Sequence, residues 1–339
     1  MRIATLALTL LAAGLTACAP RAVDFAGETM GTTYHATVTR MPASVGREVV
    51  QAEIDAVLAD VDRHLSTWDA GSELSKFNAG PGVDWVTVSP TLLEAVEQAQ
   101  AVSRLTDGAF DATVSPLVRA WGFGSGARRD AGPPGAAEIA RLQEFVGHQK
   151  LELRRAPPAL RKTVPGLHVD LDGIAPGLAV DRIAARFEAL GIGDYLVELG
   201  GEVRVRGRNP AGRTWRVAVE APLPGERRPL EVVELDGLGV STSGDYRDFR
   251  DLAGRRISHT LDPRTGAPVT HRLTSATVIH PSAAMADGLA TAIMVLGPED
   301  GLSLARRLGL AVLLIELAED GSFVRSETES FARLRRPLE

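Results

Sequence analysis

From Met285 to Leu296 the chain reads Met-Ala-Asp-Gly-Leu-Ala-Thr-Ala-Ile-Met-Val-Leu, apolar or small throughout except at Asp287 and Thr291. The run reads as an apolar helix. Asp287 and Thr291 are four apart and share one face of that helix, about 5–6 Å from each other. A lone carboxylate in such surroundings costs free energy unless it is paired or bound to a cation. Oxygen ligands of this kind suit Mg²⁺, which often takes one or two carboxylates beside substrate phosphates. The plain alternative is that Asp287 is favoured near a helix N-terminus, after Ser282 as a possible cap.

The rest of the chain predicts what surrounds the helix. Strand patterns occur at Tyr34–Thr39, Trp85–Val88, Leu167–Leu171, Thr214–Val219, Leu230–Leu235, Thr274–His280 and Leu310–Leu317, and Tyr195–Arg208 reads as a hairpin about Gly200-Gly201. Helical stripes run through Arg47–Leu65, from Pro90 through Val102, over Gly177–Leu190, and onward from Pro298. Runs of strands broken irregularly by helices argue an α+β fold rather than a regular βαβ alternation. Residues 122–135, rich in Gly, Pro and Arg, form the clearest loop.

The N-terminus bounds the setting. Arg2 is a minimal positive region, Ile3–Leu15 carries no charge, and Leu15-Thr16-Ala17-Cys18 reads as a lipobox ending in the chain's only cysteine. Cleavage there would leave Cys18 as a lipidated first residue; the alternative is an ordinary cleaved signal peptide, and either reading exports the protein. A single cysteine excludes an internal disulfide. The net charge of −6, with no basic stripe, argues against a nucleic-acid partner.

Three further segments carry chemistry. Asp170-Leu171-Asp172-Gly173-Ile174-Ala175-Pro176-Gly177 ends in two carboxylates and enters a helix through glycines, which brings backbone groups close to a ligand; an ordinary strand–helix turn is the alternative. His259 precedes Asp262-Pro263-Arg264-Thr265-Gly266, a tight turn fixed by proline and glycine, and a rigidly held imidazole is suited to proton abstraction near neutral pH. Thr106–Thr113, followed by Trp121-Gly122-Phe123-Gly124, sets aromatics beside glycines that either flank a planar ring or belong to the core.

Taken together in order, these segments resemble the ApbE family of FAD:protein FMN transferases. The resemblance begins at Glu28–Tyr34 and continues through Ser66-Thr67-Trp68, Ser72–Asn78, Asp107–Asp111, Trp121–Gly124, the Asp170 turn, Val197–Glu202 and Ser243–Tyr246. It closes with Ser258–Gly266 and Ala286–Ala292, and so covers about residues 28–315. It implies an α+β fold of mixed and antiparallel sheets with packed helices, two intimate lobes around a flavin cleft. Residues 1–17 would be the signal peptide, 18–27 a lipidated linker and 28–330 the transferase domain.

The implied reaction is Mg²⁺-dependent transfer of FMN from FAD to a threonine hydroxyl of a target protein, with release of AMP. Acceptors in the family include flavoprotein subunits of the Na⁺-translocating NADH:quinone reductase and the related Rnf complex, flavinylated in a Ser/Thr-rich stretch. By the same resemblance Asp287, Thr291 and the Gly173 carbonyl would hold the metal. His259 would be the base. Met30, Trp68, Ala109, Phe110, Asp111, Asp170, Pro176 and Leu261 would contact FAD, with Glu73, Asn78 and Ser243 shaping the pocket. The expected location is a lipid-anchored protein facing the periplasm.

One position departs from the family. Its turn usually reads Ile-Ala-Lys-Gly where this chain has Ile174-Ala175-Pro176-Gly177, so the lysine facing the cofactor is missing. Arg182, Arg128 and Arg129 are candidate replacements. Two other functions remain open to the same residues: an FAD pyrophosphatase, in which water replaces the threonine, and a non-catalytic exported FAD-binding lipoprotein.

Overall fold

A computed structural model describes residues 22–338 apart from 81–82, 125–126, 128–131, 224, 226–227, 246–248, 253–254 and 319. The signal segment, Cys18, Arg128, Arg129 and Tyr246 therefore lie outside the described residues. No helix among those described is long and apolar enough to cross a membrane.

The central element is an eight-stranded sheet. Its strands are β1 (Val23–Thr29), β2 (Thr32–Val38), β3 (Tyr195–Leu199), β4 (Glu202–Arg206), β5 (Leu238–Gly244), β6 (Leu273–His280), β7 (Ala311–Leu317) and β8 (Phe323–Glu327). Their order across the sheet is their order along the chain, and every pairing is antiparallel. The helices and smaller sheets are insertions into this meander. α1 (Arg47–Leu65), α2 (Glu73–Ala79), α3 (Pro90–Leu105), α4 (Ser115–Ala120), α5 (Ala136–Gln143) and α6 (Ala175–Ala189) all fall between β2 and β3, α7 (Ala283–Arg307) joins β6 to β7, and α8 (Glu329–Leu334) follows β8.

Alternation along the strands separates two apolar faces. Val278, Val312 and Leu314 pack with the helices in one core, while their neighbours Ile279, Leu313 and Ile315 turn to the other side. There they meet Trp215, Val217 and Val233 of a three-stranded sheet (215–220, 229–235, 335–336) and Phe331 of α8. A second three-stranded sheet, formed by 86–87, 151–155 and 158–162, lies against α3.

The expected apolar helix is present as the first half of α7, and most of it is buried. It spans Ala283 to Leu296 before a break at Gly297, whose φ of 81° precedes Pro298, so the helix anticipated from Pro298 onward is its continuation. Gly177 explains how closely α6 docks on it: a Cβ there would lie 2.6 Å from the Ala283 carbonyl oxygen.

One strand expectation fails. Residues 167–171 belong to no ladder. Val169 finds its partner in a side chain: the Asn78 amide donates to the Val169 carbonyl (2.7 Å) and accepts from its N–H (2.8 Å). The helix that follows starts at Ala175, two residues before Gly177, so Pro176 sits in its first turn.

Candidate active site

The α7 end of the cleft is fixed first. Ser282 caps the helix by accepting from the Met285 N–H, and Asp181 of α6 accepts from the Ser282 hydroxyl (2.8 Å) and from the N–H groups of Ala283 (3.0 Å) and Ala284 (3.1 Å). The first turn is thereby satisfied without Asp287, which removes the capping explanation for that residue. Asp287 is buried, 6% exposed, and its Oδ2 has no hydrogen-bond partner among the described residues. Burial pushes its pKa well above the carboxylate range. The negative charges of Glu202 and Asp172 push it the same way, and a hydrogen bond from the Gly177 N–H opposes them.

Thr291, one turn further along, has its hydroxyl 3.3 Å from the Ser243 hydroxyl of β5. Opposite stands Gly173. A Cβ there would be 3.5 Å from Thr291 Oγ1 and 3.1 Å from the Phe110 ring, so the absent side chain leaves its backbone directly beside the threonine. These donors are all hard oxygens, and the orphaned Asp287 oxygen is what a cation of the Mg²⁺ type would satisfy. Among the described residues no three His, Cys, Asp or Glu side chains gather as a ligand set. The fit therefore rests on one carboxylate with neutral oxygens.

Gly173, Asp287 and Thr291 line a cavity of about 450 Å³ together with Ala109, Phe110, Asp111, Asp170, Ser243, His259 and Leu261. A neighbouring cavity of about 740 Å³ holds Met30, Thr32, Pro176 and Glu202, and Trp68 and Asp172 line both. One composite cleft thus brings together every site residue anticipated for metal, flavin and base.

His259 follows the paired strands Phe249–Leu252 and Arg255–Ser258 and precedes the Asp262–Gly266 turn. Its ring lies edge-on to Phe123, with centroids 6.3 Å apart. The turn is as rigid as its composition promised: Arg264 pairs with Asp262 at 2.8 Å, Gly266 N–H donates to the Asp262 carbonyl (2.8 Å), and the Trp121 indole N–H donates to the Gly266 carbonyl (2.9 Å). Trp121 and Phe123 thus divide the two readings of their segment, one tying the turn down and the other walling the cavity.

The remaining side chains have distinct situations. Trp68 is 72% exposed, on a turn held by the Ser66 hydroxyl, which accepts from the N–H groups of Trp68 (3.2 Å) and Asp69 (3.1 Å). Met30 adopts a left-handed conformation (φ 49°) at the tip of the β1–β2 hairpin. Asp111 uses its carboxylate internally, accepting from Thr113 N–H (2.8 Å) and hydroxyl (2.6 Å) and from His148 N–H (2.6 Å), so it braces the wall it lines. Burial raises the Asp170 pKa while Arg119 opposes the rise. Glu73 anchors α2 by accepting from the Ser89 N–H (2.7 Å) and meeting His64 Nδ1 (2.8 Å).

Arg182 does not replace the missing lysine. It is held by Asp60 (2.8 Å) and Glu94 (2.6 Å), beside Thr91. Two acidic residues without an assigned role in the sequence also face the cleft, Asp172 and Glu202. Glu202 is pushed up to about 7, chiefly by burial, with a hydrogen bond from the Ser241 hydroxyl (3.1 Å) acting against it. Its signal in the sequence was its place at the end of the Val197–Glu202 segment, after the glycine pair Gly200-Gly201.

The ApbE family profile matches residues 30–314. The chain belongs to the ApbE family. It is 37% identical over 331 residues to the FAD:protein FMN transferase of Haemophilus influenzae, covering 96% of this chain and 95% of that one. With the Vibrio cholerae FAD:protein FMN transferase it shares 40% identity over 299 residues, 88% of this chain and 89% of the relative. The crystal structure of apo Pseudomonas stutzeri flavinyl transferase ApbE superposes with a TM-score of 0.83 at 42% identity, over 93% of this chain and 96% of that one. The Vibrio cholerae flavin transferase ApbE gives 0.83 at 38% identity, over 92% and 99%. The ApbE fold inferred from ordered motifs is thus the fold observed.

Proposed function

We propose that this ApbE protein is a Mg²⁺-dependent transferase that moves FMN from FAD to a threonine hydroxyl of an exported or membrane flavoprotein and releases AMP. The observation that carries the reading is the orphaned, buried Asp287 oxygen facing the same cavity as Thr291, Gly173 and His259. In this reading Asp287, Thr291 and the Gly173 carbonyl hold the metal, whose chemistry is to neutralise charge on the pyrophosphate and on the departing AMP. Trp68 offers its indole face to a planar ring at the junction of the two cavities. Met30, Ala109, Phe110, Asp111, Asp170, Pro176 and Leu261 shape the walls that orient FAD. His259 accepts the threonine proton as the threonine oxygen bonds to the FMN phosphorus, and the bond from that phosphorus to the bridging pyrophosphate oxygen breaks, that oxygen leaving with AMP.

The acceptor is read as a flavoprotein subunit of the Nqr or Rnf type, and the Cys18 lipid anchor as what holds the enzyme at the periplasmic membrane surface beside it. Incubation of the purified protein with FAD, Mg²⁺ and such an acceptor domain, followed by mass measurement, tests the reading. Equimolar AMP and an acceptor heavier by FMN less water are expected. Free FMN with an unmodified acceptor would identify a pyrophosphatase instead. Labelling of the intact cells' lipoproteins with a fatty-acid probe tests Cys18, with loss of label expected in Cys18→Ser.

A further inference from the structure

Lys162 closes the strand 158–162 and is only 1% exposed. Among the described residues no carboxylate pairs with it. Its ammonium donates instead to the carbonyls of Asn78 (3.0 Å) and Gly80 (3.0 Å) and stands 4.9 Å over the Phe77 ring. Those groups belong to the last turn and cap of α2, where orphan carbonyls and the negative end of the helix dipole meet a cation well. A buried ammonium is costly, and helix capping alone is ordinarily left to glycine or water, so a further use of the charge is worth seeking.

That use lies one residue away. The same turn carries Asn78, whose side chain gives Val169 both hydrogen bonds that a neighbouring strand would have supplied. Val169 leads straight into Asp170, whose N–H donates to the Ala112 carbonyl (2.7 Å), and then into the Asp172–Gly173 turn at the cleft. We propose that Lys162 is a positioning residue for the transfer reaction: its ammonium fixes the last turn of α2, so that Asn78 clamps Val169 and sets the backbone of Asp170–Gly173 against α7. The proposal rests on the functional reading above and extends it to a residue that touches neither substrate nor metal.

The test uses the full mature chain and four variants: Lys162→Met, Asn78→Ala, their double variant, and Phe331→Leu as a control destabilised beneath the far face of the sheet. Three quantities are compared: FAD dissociation constant by flavin fluorescence with saturating Mg²⁺, amide hydrogen exchange over 169–174, and melting temperature. Lys162→Met and Asn78→Ala should each weaken FAD binding about tenfold and speed exchange over 169–174. The double variant should be no worse than the poorer single one, because both act through one clamp. Phe331→Leu should lower the melting temperature and leave FAD affinity and that exchange unchanged.

A folded Lys162→Met with wild-type FAD affinity and exchange would overturn the proposal, as would effects that multiply in the double variant. If Lys162→Met does not fold, Asn78→Ala decides by the same readouts, since the clamp is the route. Variants that show the clamp effects, beside wild-type protein that never modifies an acceptor, would overturn the functional reading and leave Lys162 as a positioning residue for FAD binding.

Discussion

The two walls of the cleft are held in opposite ways. Asp287 and Thr291 stand on a helix whose backbone satisfies itself and whose first turn is closed by Ser282 and Asp181. Asp170, Asp172 and Gly173 stand on a segment with no ladder at all, tied by the Asn78 amide and the Ala112 carbonyl. The first wall is stiff because of its own secondary structure, and it carries the feature that is costly to bury. The second borrows its order from side chains elsewhere, so it is the wall that small remote changes can move.

The largest expected effect is on the stiff wall. Asp287→Asn should lower transfer by roughly a thousandfold by removing the one charged group of the proposed metal site. The same change should raise the melting temperature of the metal-free protein, because it removes a buried carboxylate whose pKa is held high while keeping an acceptor for the Gly177 N–H. Loss of activity together with loss of stability would break the distinction between the walls. Next, His259→Ala should slow transfer about 10²–10⁴-fold near neutral pH, the usual range for a general base, with FAD affinity unchanged. Rapid transfer by that variant would remove His259 from the chemistry.

Gly177→Ala drives a Cβ to 2.6 Å from the Ala283 carbonyl, where the walls meet. It should cost about 1–3 kcal/mol of stability by overpacking, measured by denaturant titration. The smallest effect concerns pH. Burial first, then Arg119 and Lys162, depress the His168 pKa to about 4, against about 6.5 in the unfolded chain. The unfolded chain therefore binds the extra proton between those values. The stability of the borrowed wall should be full above about pH 6.5 and fall as pH drops toward 4. His168→Gln should flatten that dependence in melts at pH 7 and pH 5.

The same contrast explains what the sequence could reveal. Helix α7, the hairpin about Gly200-Gly201 and the Asp262–Gly266 turn announce themselves through apolar runs and turn residues that act locally. Strand β5, reading Leu-Gly-Val-Ser-Thr-Ser-Gly, sits in the middle of the sheet without a strong strand pattern, since its register comes from its neighbours β4 and β6. Leu167–Leu171 reads as a strand by its alternating Leu167, Val169 and Leu171, but Val169 is paired by an amide 91 residues away in sequence and Asp170 by the Ala112 carbonyl. Lys162 and Glu202 gave no local sign of burial, because their surroundings are assembled from distant segments. The residues that the motifs singled out for metal, flavin and base line one cleft, and the geometry added the struts behind them.

The functional claim turns on where the phosphorus of FMN ends up. Mass measurement of both products after incubation with FAD, Mg²⁺ and a Ser/Thr-rich acceptor domain reads this directly. The account predicts one AMP released for each acceptor that gains FMN through a threonine, and roughly a thousandfold slower formation of both with Asp287→Asn. FAD recovered intact, or split to free FMN and AMP beside an unmodified acceptor, would contradict it.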